Sequence, residues 1–427
     1  MRVLLFILAS LFSVSLASAE TIAIVNAHVF TMGKQGEVKD ATIIVDRGRI
    51  VAVGKGIAVP SRARVIDAKG APVTPGIFVA GTNLGAVEVD LESSANDAAT
   101  SSMTISAAFD VAHSIDPMAS PLPRARAGGV THAIVTPGYA DAHDREFLFA
   151  GRAALIALDT AAAPVIRPRV AMFINLGNEG ATRSGGARGS AFEALKADLD
   201  DVRLYARKRS SYDAGAARNM RLSTADLAAL VPVVQGRMPL IVRVHRAVDI
   251  RSVLRLARDE RLKVILNGAE EGWMLADEIA AAGVPVILNP KENLPNSFET
   301  LGATMENAAR LHAAGVRIAF TNGDDGHRIR EVRYDAGNAV AQGLPYSAAL
   351  AAITINPARI FGVGATTGSI ERGKSADIVV WNGDPLEPLT QPQAVIIAGR
   401  QQPLDSRAED LARRYMKLDE PLPPAYR

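Results

Sequence analysis

The chain has 427 residues, 48% of them hydrophobic, so it can bury a large core. Its 47 Lys and Arg are interspersed with 45 Asp and Glu for a net charge of +2, with no basic stripe of the kind nucleic acids require. It has no cysteine, which excludes disulfides, thiolate zinc sites and thiol catalysis.

Residues 1–19 have a secretory layout: Arg2, an apolar run from Val3 to Leu16, and the small-residue site Ala17-Ser18-Ala19. The run is shorter than the ~20 apolar residues a spanning helix needs. The expectation is cleavage before Glu20 and a periplasmic or secreted mature chain with no membrane association. No Asn-x-Ser/Thr acceptor occurs, and no Cys follows the cleavage site to carry a lipid.

Residues 21–53 alternate as short strands, and Asp46-Arg47-Gly48-Arg49 between two β-branched runs predicts a hairpin. A further strand is expected at ARVIDAKG. Strands then alternate with helices: VTPGIFVA, VTHAIVTP, EFLFAGRAAL, RVAMFIN, LIVRVH, KVILNG, VPVILNP and VRIAFTN. Helices are expected over 250–260, 272–282 and 303–314. Eight strands with crossover helices fit an α/β fold, a (β/α)8 TIM-like barrel. The Gly-rich stretch GATRSGGARGS, with Arg183 and Arg188, reads as a surface loop. SADIVVWNG and AVIIAGR are again strand-like, so both chain ends contribute to one β-rich unit. Residues 406–427 read as a surface helix and a loose end.

Two segments carry a family signature. VTPGIFVAGTNLG at 73–85 and ITINPARIFGV at 353–363, followed by TTGSIERGKSADIVVWNGDP at 366–385, resemble the amidohydrolase superfamily, close to its imidazolonepropionase-like members. The resemblance covers nearly the whole mature chain. It implies a barrel over 73–365 and a small composite β-sandwich built from 20–72 and 366–405. It also implies a site at the C-terminal strand ends, where such barrels place their chemistry.

The family holds a catalytic metal there through two His after strand one, a Lys or Glu after strand four, a His after strands five and six, and an Asp after strand eight. The matching residues here are Gly81 and Asn83, with Val79 at the preceding Asp position, then Asn175, His245, Asn267 and Asn322. Only His245 is a usual ligand, and one imidazole cannot hold the ion. No cofactor is expected at these positions.

Asn83, His245, Asn267 and Asn322 are expected to line one polar cavity. Glu88, Lys291 and the cluster Asp324, Asp325 and His327 are further candidates at the mouth. His245, Asp324 and Asp325 are the candidate bases, and together they could hold a relocated divalent metal. Two consecutive Asp after a strand also fit a cap and turn. Lys291 and Glu292 fit an ion pair or an activated lysine. Loop His113 and His143 read as exposed, and His28, His132 and His312 as structural.

Two functions remain open. One is a hydrolase acting on a carbon–nitrogen bond, other than a peptide bond, or a related bond of a small molecule, with an altered metal site. The other is a non-catalytic relative that binds a small ligand or pairs with an active homologous subunit. A homo-oligomer fits either.

Overall fold

In the computed structural model the described residues are 20–140, 147–208, 220–323 and 325–416. The leader at 1–19, His143, Asp324 and the end of the expected loose tail lie outside them. Strands β1 (Ile22–Phe30), β2 (Glu37–Asp46) and β3 (Arg49–Gly54) form an antiparallel meander. Arg47 (φ 46°) and Gly48 (φ 77°) turn the expected hairpin between them. Both are left-handed, as the tight turn matching the strand twist requires. β4 (Arg64–Asp67) and β5 (Pro72–Pro75) then pair in parallel with successive parts of β1.

The barrel strands follow in chain order. They are β6 (Ile77–Thr82), β7 (Val130–Val135), β8 (Phe149–Ala157), β9 (Val165–Asn175), β10 (Leu240–Val244), β11 (Val264–Gly268), β12 (Val286–Leu288) and β13 (Ile318–Phe320). They form one eight-stranded sheet in sequential order. Its ends meet where the Thr321 hydroxyl donates to the Gly81 carbonyl at 2.6 Å. Alternate residues point inward, so Phe78, Ile134, Phe173, Ile241, Ile265, Ile287 and Ala319 fill the interior. Their neighbours Val79, Val135, Val242 and Leu266 join the outer core against the helices.

One strand departs from the all-parallel pattern. β8 runs antiparallel to both β7 and β9. The link 158–164 is too short for a crossover, which takes about a dozen residues or more, so the chain makes a hairpin there. The expected helices occur at Ala247–Asp259, at Gly272–Leu275 continued by Ala276–Ala281, and at Asn307–Ala313. Two more fill the gap before β10. Arg188–Arg207 starts inside the stretch read as a loop, and Thr224–Val234 is capped by Ser223, whose hydroxyl accepts from the Asp226 amide at 3.2 Å. No helix among the described residues is long and apolar enough to cross a membrane.

The chain returns after the barrel as β14 (Ile378–Trp381), β15 (Pro392–Ile397) and β16 (Arg400–Gln401). β14 adds antiparallel to β5, so both chain ends form one sheet ordered β16-β15-β14-β5-β1-β2-β3. The sheet encloses its own core, with Ile22, Ile24, Ile43, Ile50, Ile378 and Ile396 fully buried. Its other face, through Val379, Trp381, Val395 and Ile397, packs on the barrel's outer core. The helix Arg407–Tyr415 follows, as the charged segment implied.

Candidate active site

Strand β10 places Ile241, Arg243 and His245 on one face by its two-residue period. Ile241 lies in the barrel interior, so Arg243 occupies the next layer and His245 the rim. The Arg243 guanidinium stands 5.2 Å from the Phe173 ring centre, and its Nε donates to Asn267 Oδ1 at 3.1 Å. Arg243 is in register with Asn267 on one side and Asn175 on the other. Asn175 Oδ1 accepts the Gly177 amide at 2.7 Å and so shapes the first turn after β9.

His245 Nδ1 forms a short hydrogen bond with the Glu270 carboxylate. Gly268 makes that contact possible. It has a φ of 91°, and a Cβ there would lie 2.7 Å from His245 Nδ1. The imidazole is 19% exposed, and Nε2 has no hydrogen-bond partner among the described residues. Burial works to lower the His245 pKa, but the Glu270 hydrogen bond and charge, helped by Glu299, outweigh it. The net direction is upward, against a smaller opposing effect of Arg243.

The other expected residues have separate partners. Asn83 Oδ1 accepts the Gly326 amide at 2.8 Å and so binds the loop after β6 to the loop after β13. Asn322 donates from Nδ2 to Asp335 Oδ2 at 2.6 Å, toward the helix Val332–Ala341. Lys291 reaches the same Asp335 oxygen at 3.6 Å, while Glu292 accepts from Asn289 at 3.1 Å. The acid beside Lys291 is therefore Asp335 and not its sequence neighbour. Burial raises the Asp335 pKa, against the Asn322 hydrogen bond and the Lys291 charge.

The Glu88 carboxylate accepts the Ser120 amide at 2.9 Å, and its carbonyl meets His327 Nε2 at 2.8 Å. Asp325 Oδ1 accepts the amides of His327 at 2.9 Å and Arg328 at 3.3 Å, the cap-and-turn arrangement. Asp324 lies outside the described residues. No group of three His, Asp or Glu side chains placed to hold a metal ion occurs among the described residues.

The arginines of the Gly-rich stretch are structural. Arg183 pairs with Glu179 at 2.6 Å and lies over the Tyr139 ring at 4.5 Å. Arg188 bridges Asp249 at 2.9 Å and Glu299 at 3.0 Å. His28 pairs with Glu37 at 2.6 Å in the chain-end sheet, and His132 is buried in β7 beside Phe78.

Three site residues escaped the sequence reading: Arg243, Glu270 and Asp335. Arg243 had a signal, since a cation at an inward position of an apolar strand marks a polar layer. Glu270 and Asp335 had none, because loop and helix paths bring them in.

The comparisons with known proteins follow this geometry. Residues 159–402 match the model of the Amidohydrolase family. A stretch of 111 residues is 33% identical to Amidohydrolase tasK of Hapsidospora irregularis, which is 26% of this chain and only 11% of that protein. The fold is similar to an amidohydrolase from Thermotoga maritima MSB8, with TM-score 0.79, 23% identity and coverage of 89% of this chain and 99% of that one. It is also similar to a putative prolidase from Bifidobacterium longum, with TM-score 0.51, 20% identity and coverage of 92% and 98%. At these identities the structural likeness is one of fold. The family model spans more than half of the chain and covers β9 to β16, most of the barrel and the return into the end sheet. The chain belongs to the amidohydrolase family.

Proposed function

We propose that this chain is a small-molecule hydrolase acting on a carbon–nitrogen bond other than a peptide bond, or on a related bond, with His245 as its base and without the metal centre usual in its family. The observation that carries the reading is the His245–Glu270 pair at the end of β10. A carboxylate accepting from Nδ1–H leaves Nε2 as the acceptor. Nε2 would take a proton from a water whose oxygen attacks the substrate carbonyl carbon. The resulting imidazolium would return that proton to the departing nitrogen as the C–N bond breaks. Arg243, two residues earlier on the same face, supplies positive charge for the carbonyl oxygen as it becomes an oxyanion.

The donor set supports the metal-free part. Gly81 offers no side chain, Asn83 Oδ1 is bonded to the Gly326 amide, and Asn267 Oδ1 accepts from a guanidinium. Asn322 donates to Asp335. These neutral groups beside a fixed cation do not fit a divalent ion, which takes three or more His, Cys or carboxylate ligands. No step here runs through one.

The test is hydrolysis of a panel of N-acyl amino acids, cyclic imides and carbamates with EDTA present. The expected result is turnover that EDTA leaves unchanged and that His245→Ala lowers by about 10²–10⁴-fold. Turnover that EDTA abolishes and added zinc restores would overturn the reading.

A second reading is a non-catalytic relative that binds a small ligand or supports an active homologous subunit. It is favoured by how fully the mouth's amides are paired internally. Absence of turnover across the panel, with saturable binding of a panel member, would put it first.

A further inference from the structure

A second polar site lies at the other end of the barrel. A cleft of about 660 Å³ opens among the N-terminal ends of β9 to β12. Arg167 and Arg169 at the start of β9, Arg237 just before β10 and Lys263 just before β11 form its rim. Val284 and Phe361 contribute to an apolar floor, and no Asp or Glu lines it.

Of these four cations only Arg169 has a carboxylate partner among the described residues. Arg167 donates to the Phe361 carbonyl, and Arg237 Nε to Gln235 Oε1 at 2.9 Å, both neutral acceptors. Arg169 pairs with Asp110 at 2.6 Å, an acid that Arg152 also approaches at 3.8 Å. Lys263 is exposed, and its ammonium has no hydrogen-bond or ion-pair partner among the described residues.

Arg237 and Lys263 follow helix C-termini, where basic residues offset the helix dipole. That role does not account for Arg167 and Arg169, which sit on a strand. Arg169 has a φ of 57°, a left-handed conformation, where the β8–β9 register is irregular between Arg167 and Ala171. Its Nε donates to Asp110 Oδ2 at 2.6 Å, at the rim.

We propose that the cleft binds a small amphipathic anion, an apolar body carrying a phosphate, sulfonate or carboxylate group. The volume falls in the range of about 300–1,000 Å³ usual for small-ligand sites. The floor takes the body, and the guanidinium and ammonium groups take the anion. The packed layers of Phe78, Phe173, Ile241 and Ile265 separate this site from the mouth, so the proposal stands apart from the hydrolase reading.

The experiment is calorimetric titration of the chain with 1-naphthyl phosphate, inorganic phosphate and 1-naphthol. The expected result is saturable 1:1 binding of 1-naphthyl phosphate, with phosphate and 1-naphthol each weaker by at least about tenfold. The paired change Arg237→Ala with Lys263→Ala should weaken 1-naphthyl phosphate by at least about tenfold, since two charge-assisted contacts are lost. Both residues are exposed, so the fold should survive, and an unchanged melting temperature checks this. Val284→Glu, an acid on the floor, should also abolish binding, while His245→Ala should leave it intact. No saturable binding, equal binding of phosphate and 1-naphthyl phosphate, retention in the paired variant or loss in His245→Ala would each overturn the proposal.

Discussion

Glu270 decides the charge of His245. Burial alone pushes the imidazole toward neutrality, and the Glu270 bond reverses that. A folded pKa raised above the unfolded value contributes stability that is full below about pH 6.5. That stability fades as pH rises through the folded pKa. Glu270→Gln should therefore cost about 1.5–3 kcal/mol at pH 5.5, the worth of a hydrogen bond to a charged group, and clearly less at pH 9. Urea denaturation at the two pH values measures this. NMR titration of His245 in the variant should show its pKa fall, because burial and Arg243 then act against Glu299 alone. A pKa that stays raised would show that Glu270 is not its cause. At Asp335 the argument is about abandoned partners. Asp335→Ala leaves Asn322 without its acceptor and Lys291 without its counter-charge, for an expected loss of about 1–3 kcal/mol in chemical denaturation. Asp335→Asn should lose less. His245 and the three asparagines were singled out because the family resemblance assigns its ligand positions to strand ends. Glu270 and Asp335 were not, because a side-chain partner depends on how a loop or helix turns back, which spacing does not encode.

Eight apolar runs gave the strands, but the direction of β8 lies in its connections. The short link 158–164 forbids a crossover, and β8 also carries Gly151 at a φ of 136°. A Cβ there would lie 2.7 Å from the Phe109 carbonyl oxygen, a backbone atom that cannot step aside cheaply. Gly151→Ala should cost about 1–3 kcal/mol, as overpacking does. Gly81, on β6, is the contrast. Its φ is not in the left-handed range, and its Cβ would meet only Thr321 Oγ1 at 3.8 Å. Gly81→Ala should be neutral or stabilise by up to about 1 kcal/mol through the unfolded chain. Thermal melts of the two variants check the pair, and a Gly81→Ala loss as large as that of Gly151→Ala would contradict this account. The helix Arg188–Arg207 was legible in principle. Ala191, Leu195, Leu199 and Val202 recur at spacings of one helical turn and are all buried. The Gly and Ser residues just before it drew the reading toward a loop.

The junction between barrel and end sheet turns on one buried cation. Arg333, on the helix Val332–Ala341, is 1% exposed. One guanidinium nitrogen donates to the carbonyls of Pro385 at 2.9 Å and Glu387 at 2.7 Å, and the other to Thr390 O at 2.5 Å and the Tyr334 hydroxyl at 2.9 Å. Those carbonyls belong to the segment after β14. The guanidinium also stands 5.4 Å from the ring of Trp381, which itself fills the space over Gly129. Burial lowers the Arg333 pKa, yet no carboxylate among the described residues pairs with it, so its charge rests on carbonyl dipoles and ring faces. Nothing in the pattern of residues points to this role, since one arginine in a helix of mixed polarity reads as solvent-facing. Arg333→Ala removes the shared donor of three carbonyls and opens a void beside Trp381. The expected loss is about 3–5 kcal/mol, the scale of breaking a buried charged network. Because the lost contacts join two units, the single urea transition expected of the wild type should broaden or split, with the end sheet melting first. Trp381 fluorescence and far-UV circular dichroism follow the two parts. Arg333→Lys restores the charge but not the planar fork, so one ammonium cannot reach all three carbonyls and the variant should fall close to alanine. A lysine variant as stable as wild type would mean that charge alone, and not the guanidinium's geometry, holds the two units together.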